Sequence, residues 1–126
     1  MKQLKAKAKE LGVTVYETNG LRGDLNAIYM HDDRVILLRD DLDPYTKRSA
    51  LAHELGHARY GDEHSDDPRL ERRADLWAAQ LVITEPAYRE AEQAYGPHPG
   101  ALAWALGVTR DVVDTWRALT IRGWEA

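Results

Sequence analysis

The residues with the clearest chemistry are His53-Glu54-Leu55-Gly56-His57, an HExxH motif within residues 49–58, a stretch that reads as helix. On a helix, residues four apart share a face one turn from each other, so both imidazoles can converge on one ion. Glu54 lies about 100° round the helix, beside such an ion and not on it. Neutral imidazole suits Zn²⁺, whose catalytic sites use three protein ligands and leave a fourth position for water. At this chain's His and Glu frequencies the motif arises by chance in on the order of one sequence in a hundred. That sets a surface helix with two incidental histidines behind a metal site. The chemistry on offer is metal-assisted hydrolysis, with Glu54 taking the proton of the attacking water and handing it to the leaving amine.

A third ligand must come from elsewhere, and with no cysteine in the chain the strong donors are His, Asp and Glu. Glu71 and Asp75 lie one turn apart and flank an apolar stripe of Leu70, Ala74, Trp77, Ala78 and Leu81. Carboxylates at the margin of a buried stripe are costly unless paired or coordinating, as a third ligand and a partner for a ligand would be. Surface acids paired with Arg69, Arg72 or Arg73 are the alternative, and the upstream motif favours metal. His64 is a rival ligand, because metzincins place a third histidine after a glycine in HExxHxxGxxH. Here one extra residue precedes Gly61, so the spacing does not match.

Several elements must position these groups. Asp43-Pro44 reads as an N-cap followed by the helical position that best tolerates proline, and Tyr60-Gly61 as a helix end, giving a motif helix over 44–60. Gly56 inside it costs about 1 kcal/mol relative to alanine, which predicts another backbone passing close by. Asp67-Pro68 repeats the start signal for the Glu71 helix. Upstream, residues 1–11 form an amphipathic helix with a solvated lysine face, closed by Gly12. Strands follow at 13–17, 27–31 and 34–38, the last two joined as a hairpin through Asp32-Asp33. Apolar residues on both faces of 34–38 predict a sheet covered on both sides, and the same strand is the expected edge for pairing with an extended substrate. His31, at a strand end, reads as solvated or core-edge.

Downstream, a helix runs from Thr84-Glu85-Pro86 to Tyr95, and two shorter ones cover 101–106 and 110–119. Ala103, Gly107 and Val113 give the pair at about 99–119 a helix-turn-helix spacing. Its second helix balances Asp111 and Asp114 against Arg110 and Arg117, so packing is preferred over DNA reading. Trp77, Trp104, Trp116 and Trp124 read as core. The group that stabilises the oxyanion stays open among Tyr45, Tyr60, Tyr88, His64 and His98.

The chain of 126 residues fits a single domain, 1–126, and its 30% charged and 44% hydrophobic content is that of a soluble globular protein. A net charge of −4 argues against nucleic-acid binding by general electrostatics. No run nears the roughly 20 apolar residues of a membrane span, and Met1-Lys2-Gln3-Leu4-Lys5 leads into no signal core, so a cytoplasmic location is expected.

Taken together, the HExxH helix and the later segment Glu71-Arg72-Arg73-Ala74-Asp75-Leu76-Trp77-Ala78-Ala79-Gln80-Leu81-Val82 resemble the ImmA/IrrE family of zinc metallopeptidases. The second block looks like that family's E-x-x-A-x-x-[FW]-A-x-x-L-[LM] pattern and is the more specific of the two. The resemblance implies an α+β, zincin-like fold: a small antiparallel or mixed three-stranded sheet packed with helices, HExxH on a central helix, and a helical C-terminal part. It implies one zinc ion held by His53, His57 and Glu71, Glu54 as base, and Asp75 steadying a ligand histidine. Members often cleave a helix-turn-helix repressor, commonly in phages or mobile elements, which makes such a repressor the expected partner. The chain departs from the family in its short length and compact 57–71 loop, and no fused sensor domain is expected. Two rivals differ in class: an anti-repressor that grips without cutting, around a structural metal, and a DNA-binding module built on 103–116. Glu54 argues against the first, because a structural site needs no unliganded carboxylate. The charge balance argues against the second.

Overall fold

The first helix, α1 (Lys2–Glu10), buries Leu4 and Ala8 and leaves Lys2, Lys5 and Lys9 in solvent. In the computed structural model residues 1–63 and 66–125 are described, with side chains described as far as residue 120. Three strands follow, β1 (Thr14–Thr18), β2 (Ala27–Met30) and β3 (Val35–Arg39), in the spatial order β1-β3-β2. β2 and β3 form the expected antiparallel hairpin, with Tyr29 opposite Ile36, while β1 runs parallel to β3 and sets Val15 opposite Ile36. The sheet is therefore mixed.

This order corrects two expectations. The strand expected to offer a free edge, β3, is central, and the edges are β1 and β2. Its sequence explains why: Ile36 and Leu38 are fully buried, whereas β1 carries exposed Thr14, Tyr16 and Glu17 and suits an edge. Nor is the sheet buried on both faces. Ala27, Tyr29, Ile36 and Leu38 enter one core with α1 and the HExxH helix, while Val35 and Leu37 on the other face are only half-buried, and Tyr16 beside Leu37 is 56% exposed.

The HExxH helix is α2 (Pro44–Tyr60). Asp43 accepts the Thr46 N–H at 2.9 Å at its start, and Gly61 closes it in the left-handed conformation at φ 66°. Leu51, Ala52 and Leu55 fix it in the core. The next helix, α3 (Pro68–Val82), starts on Asp67, which accepts the Arg69 N–H at 2.9 Å. The close approach expected at Gly56 is present: a Cβ there would lie 2.9 Å from the Ala74 carbonyl oxygen and 3.0 Å from its Cα. Ala74 takes that contact. Ala78, Ala79 and Val82 are buried along with it, and the larger Leu70, Trp77 and Leu81 are half-buried.

Helices α4 (Glu85–Tyr95), α5 (Pro99–Leu106) and α6 (Arg110–Glu125) complete the fold, α6 running past the expected 119. The α5–α6 pair is built into the core through Leu102, Ala103, Val108, Val113 and Trp116, whose ring stacks on Tyr88 at 4.3 Å. Ser49 Oγ on α2 accepts the Thr109 N–H at 3.1 Å, docking the start of α6 one turn before His53. Trp104 departs from the core expectation: it is 61% exposed and meets only the edge-on ring of Tyr95 among the ring contacts described. The Trp124 side chain lies outside the described residues. Among the described residues no helix is long and apolar enough to cross a membrane.

Candidate metal centre

Helical spacing sets the two histidines of α2 side by side, with ring centroids 4.8 Å apart and planes at 87°. The Gly56–Ala74 crossing then brings the first turn of α3 alongside. Glu71 Oε2 lies 2.7 Å from His53 Nε2 and 3.2 Å from His57 Nε2. Among the described residues these three form the one cluster suited to an ion, with one donor atom from each and all three atoms within 4.8 Å of one another. Two imidazole nitrogens and a carboxylate oxygen are a donor set known from catalytic zinc sites. The far ring nitrogens are engaged as well: Asp75 Oδ1 lies 2.7 Å from His53 Nδ1, and Asp62 Oδ2 lies 3.0 Å from His57 Nδ1. With each Nδ1–H directed at a carboxylate, each Nε2 faces the shared point and would present its lone pair there once it gives up its proton, so the residues fit a divalent metal.

The surface-acid alternative for Glu71 and Asp75 is not the arrangement found. Arg69 pairs with Asp67, and Arg73 with Asp62. His64, the rival ligand, lies outside the described residues. Asp62 is not among the site residues expected from the sequence. The available signal was its place directly after the capping glycine: a left-handed Gly61 turns the chain back on the helix, and the Asp62 N–H donates to His57 O at 2.9 Å.

The cluster lines a cleft of about 170 Å³ whose other wall is Leu25, Ala27, Ile28 and Tyr29. Edge strand β2 therefore borders it. Glu54 is half-buried in this cleft. Burial pushes its carboxyl up, the His53 and His57 charges oppose that, Glu71 adds to it, and the Tyr29 backbone amide pulls it down, with the net direction upward. Burial works against a charge on His53 too, but the Asp75 hydrogen bond and the charges of Glu54, Asp75 and Glu71 outweigh it and raise its pKa to about 9. None of the described oxyanion candidates lines the cleft. Tyr88 donates to Glu92, the Tyr60 ring lies under Arg73, and Tyr45 and His98 sit at the starts of α2 and α5. His31, at the strand end, bonds the Tyr29 hydroxyl at 2.8 Å.

A search among curated proteins finds no sequence match to the chain. A family model does match: the IrrE N-terminal-like domain of peptidase family M78, over residues 8–115. That span runs from the end of α1 into α6 and takes in the sheet and both helices that carry the cluster. The chain belongs to the ImmA/IrrE family of metallopeptidases.

Proposed function

We propose that the protein is a zinc-dependent endopeptidase whose substrate is a helix-turn-helix transcriptional repressor met in the cytoplasm. The observation that carries the reading is the convergence of His53 Nε2, His57 Nε2 and Glu71 Oε2 on one point, with Glu54 beside them in the same cleft. His53, His57 and Glu71 would hold the metal, and Asp75 would keep the His53 ring turned towards it. Bound there, zinc supplies a polarised carbonyl and a water of lowered pKa. Glu54 takes a proton from the attacking water and delivers it to the amine as the C–N bond breaks. Because β2 is an edge strand bordering the cleft, an extended substrate segment would pair with it and not with the central β3.

The test rests on Glu54→Gln, which removes the proton acceptor while keeping the shape of the side chain and leaving the ligands untouched. A helix-turn-helix repressor encoded beside this protein is co-expressed with each version, and its length and level are followed. The wild type truncates the repressor. The variant keeps its zinc, co-purifies with intact repressor, and cleaves at least about 10²-fold more slowly, the lower end of what a positioned general base contributes. Equal derepression by both versions, with the repressor intact in each, would instead establish a non-cleaving anti-repressor.

A further inference from the structure

Asp62 has the surroundings of a residue that positions another, although it lies outside the HExxH motif and the Glu71 segment. Its side chain is 5% exposed, which is costly for a carboxylate unless each oxygen has a partner. Both do. Oδ2 faces His57 Nδ1 at 3.0 Å, and Oδ1 accepts from an Arg73 guanidinium nitrogen at 2.6 Å. Arg73 is itself held, its guanidinium lying 4.1 Å from the centre of the Tyr60 ring at the end of α2. Arg73 also precedes Ala74, the residue packed against Gly56, so the crossing that delivers Glu71 delivers Arg73 as well.

We propose that Asp62, clamped by Arg73, is a positioning residue for His57: it accepts a hydrogen bond from the Nδ1–H, fixes the tautomer and ring angle, and so presents Nε2 to the metal. The inference rests on the metal-binding role given to His57 above. The two histidines are then served unequally. Asp75, which partners His53, has a side chain 48% exposed, whereas the Asp62 pair is closed from solvent and carries an arginine behind it. A charge-assisted contact of this kind is stronger and better fixed when buried. His57 becomes the rigid ligand and His53 the more adjustable one.

Asp62→Asn separates positioning from bulk packing. It keeps the volume, but one amide face must present N–H groups either to Arg73 or to His57, so the clamp or the tautomer is lost. Three quantities are measured on wild type and variant: zinc affinity by chelator competition, melting of the metal-free protein, and the exchange protection of the His57 Nδ1–H by ¹⁵N-resolved NMR of the zinc-loaded form. Positioning predicts about 10–100-fold weaker zinc binding whichever way the amide settles, with loss of the protected proton as well when its N–H faces His57. Arg73→Gln, at a partly exposed site, serves if Asp62→Asn fails to fold, and it should weaken zinc binding in the same direction. Wild-type zinc affinity in whichever variant folds, with the His57 proton still protected, overturns the proposal. Failure of the wild type to bind zinc is a different result, which removes the ligand assignment itself.

Discussion

At His53 two opposing effects can be weighed. Burial disfavours the imidazolium, yet the Asp75 hydrogen bond and three nearby carboxylates win, and the proton stays to about pH 9. A ligand nitrogen that holds a proton must release it to bind a metal. Zinc uptake by the metal-stripped protein should therefore release a proton, and apparent affinity should weaken by up to about tenfold for each pH unit below 9. Asp75→Asn removes the largest contribution that favours the charge, so the pH at which this dependence sets in should fall. Stability of the metal-stripped protein follows the same sign. With the folded value raised above 6.5, the contribution from His53 is fully present below pH 6.5 and is lost as pH rises through about 9. Isothermal titration in buffers of different ionisation enthalpy counts the released protons, and a count near zero at pH 7 would contradict the account.

Among elements, the α2–α3 crossing sets the geometry of the whole cluster. Gly56 sits where the Ala74 backbone passes, and no larger residue fits without moving one helix. Gly56→Ala should gain about 1 kcal/mol in helix propensity and lose about 1–3 kcal/mol to overpacking against rigid backbone. The expected outcome is a lower melting temperature together with weaker zinc binding, because a shifted α3 carries Glu71 and Asp75 with it. A melting temperature above wild type would mean that the crossing relaxes freely. The caps at Asp43 and Asp67 were readable in the sequence, since each precedes a proline, and each side chain accepts a helix N–H; Thr84 caps α4 in the same way. The identity of the edge strand was not readable there. Hydrophobic pattern says that β3 is buried, but whether it lies at an edge depends on where β1 returns, and only the parallel β1–β3 pairing decides that.

For the whole molecule, the C-terminal pair has the spacing of a DNA-reading unit and the environment of a core element. Val113 and Trp116 are buried, and Arg117 donates to the Pro97 carbonyl at 3.1 Å. The exposed positions at the start of α6 are Arg110, Asp111 and Asp114, with more acid than base. We expect no binding to duplex DNA at about 150 mM salt, where the counterion-release term is already reduced. Fluorescence anisotropy with a labelled operator fragment checks this, and sub-micromolar binding with a steep salt slope would restore the DNA-binding reading.

The sequence by itself determined what is local. A four-residue helical repeat places His53 beside His57 whatever surrounds it, and cap chemistry fixes where α2 and α3 begin. The Glu71 segment, with its pattern of small and aromatic residues, pointed to the family. Tertiary structure alone decided what depends on two segments meeting. The Gly56–Ala74 contact sets Glu71 within hydrogen-bonding distance of both imidazoles, and no periodicity encodes that distance. Asp62 is the sharpest case. Among the nearby acids Glu63, Asp66 and Asp67 its residue type does not set it apart, and it acquires its place only because a left-handed glycine folds it back against His57 while a helix from elsewhere delivers Arg73. A buried charge is specified by its partners, and here those partners lie five and eleven residues away in sequence.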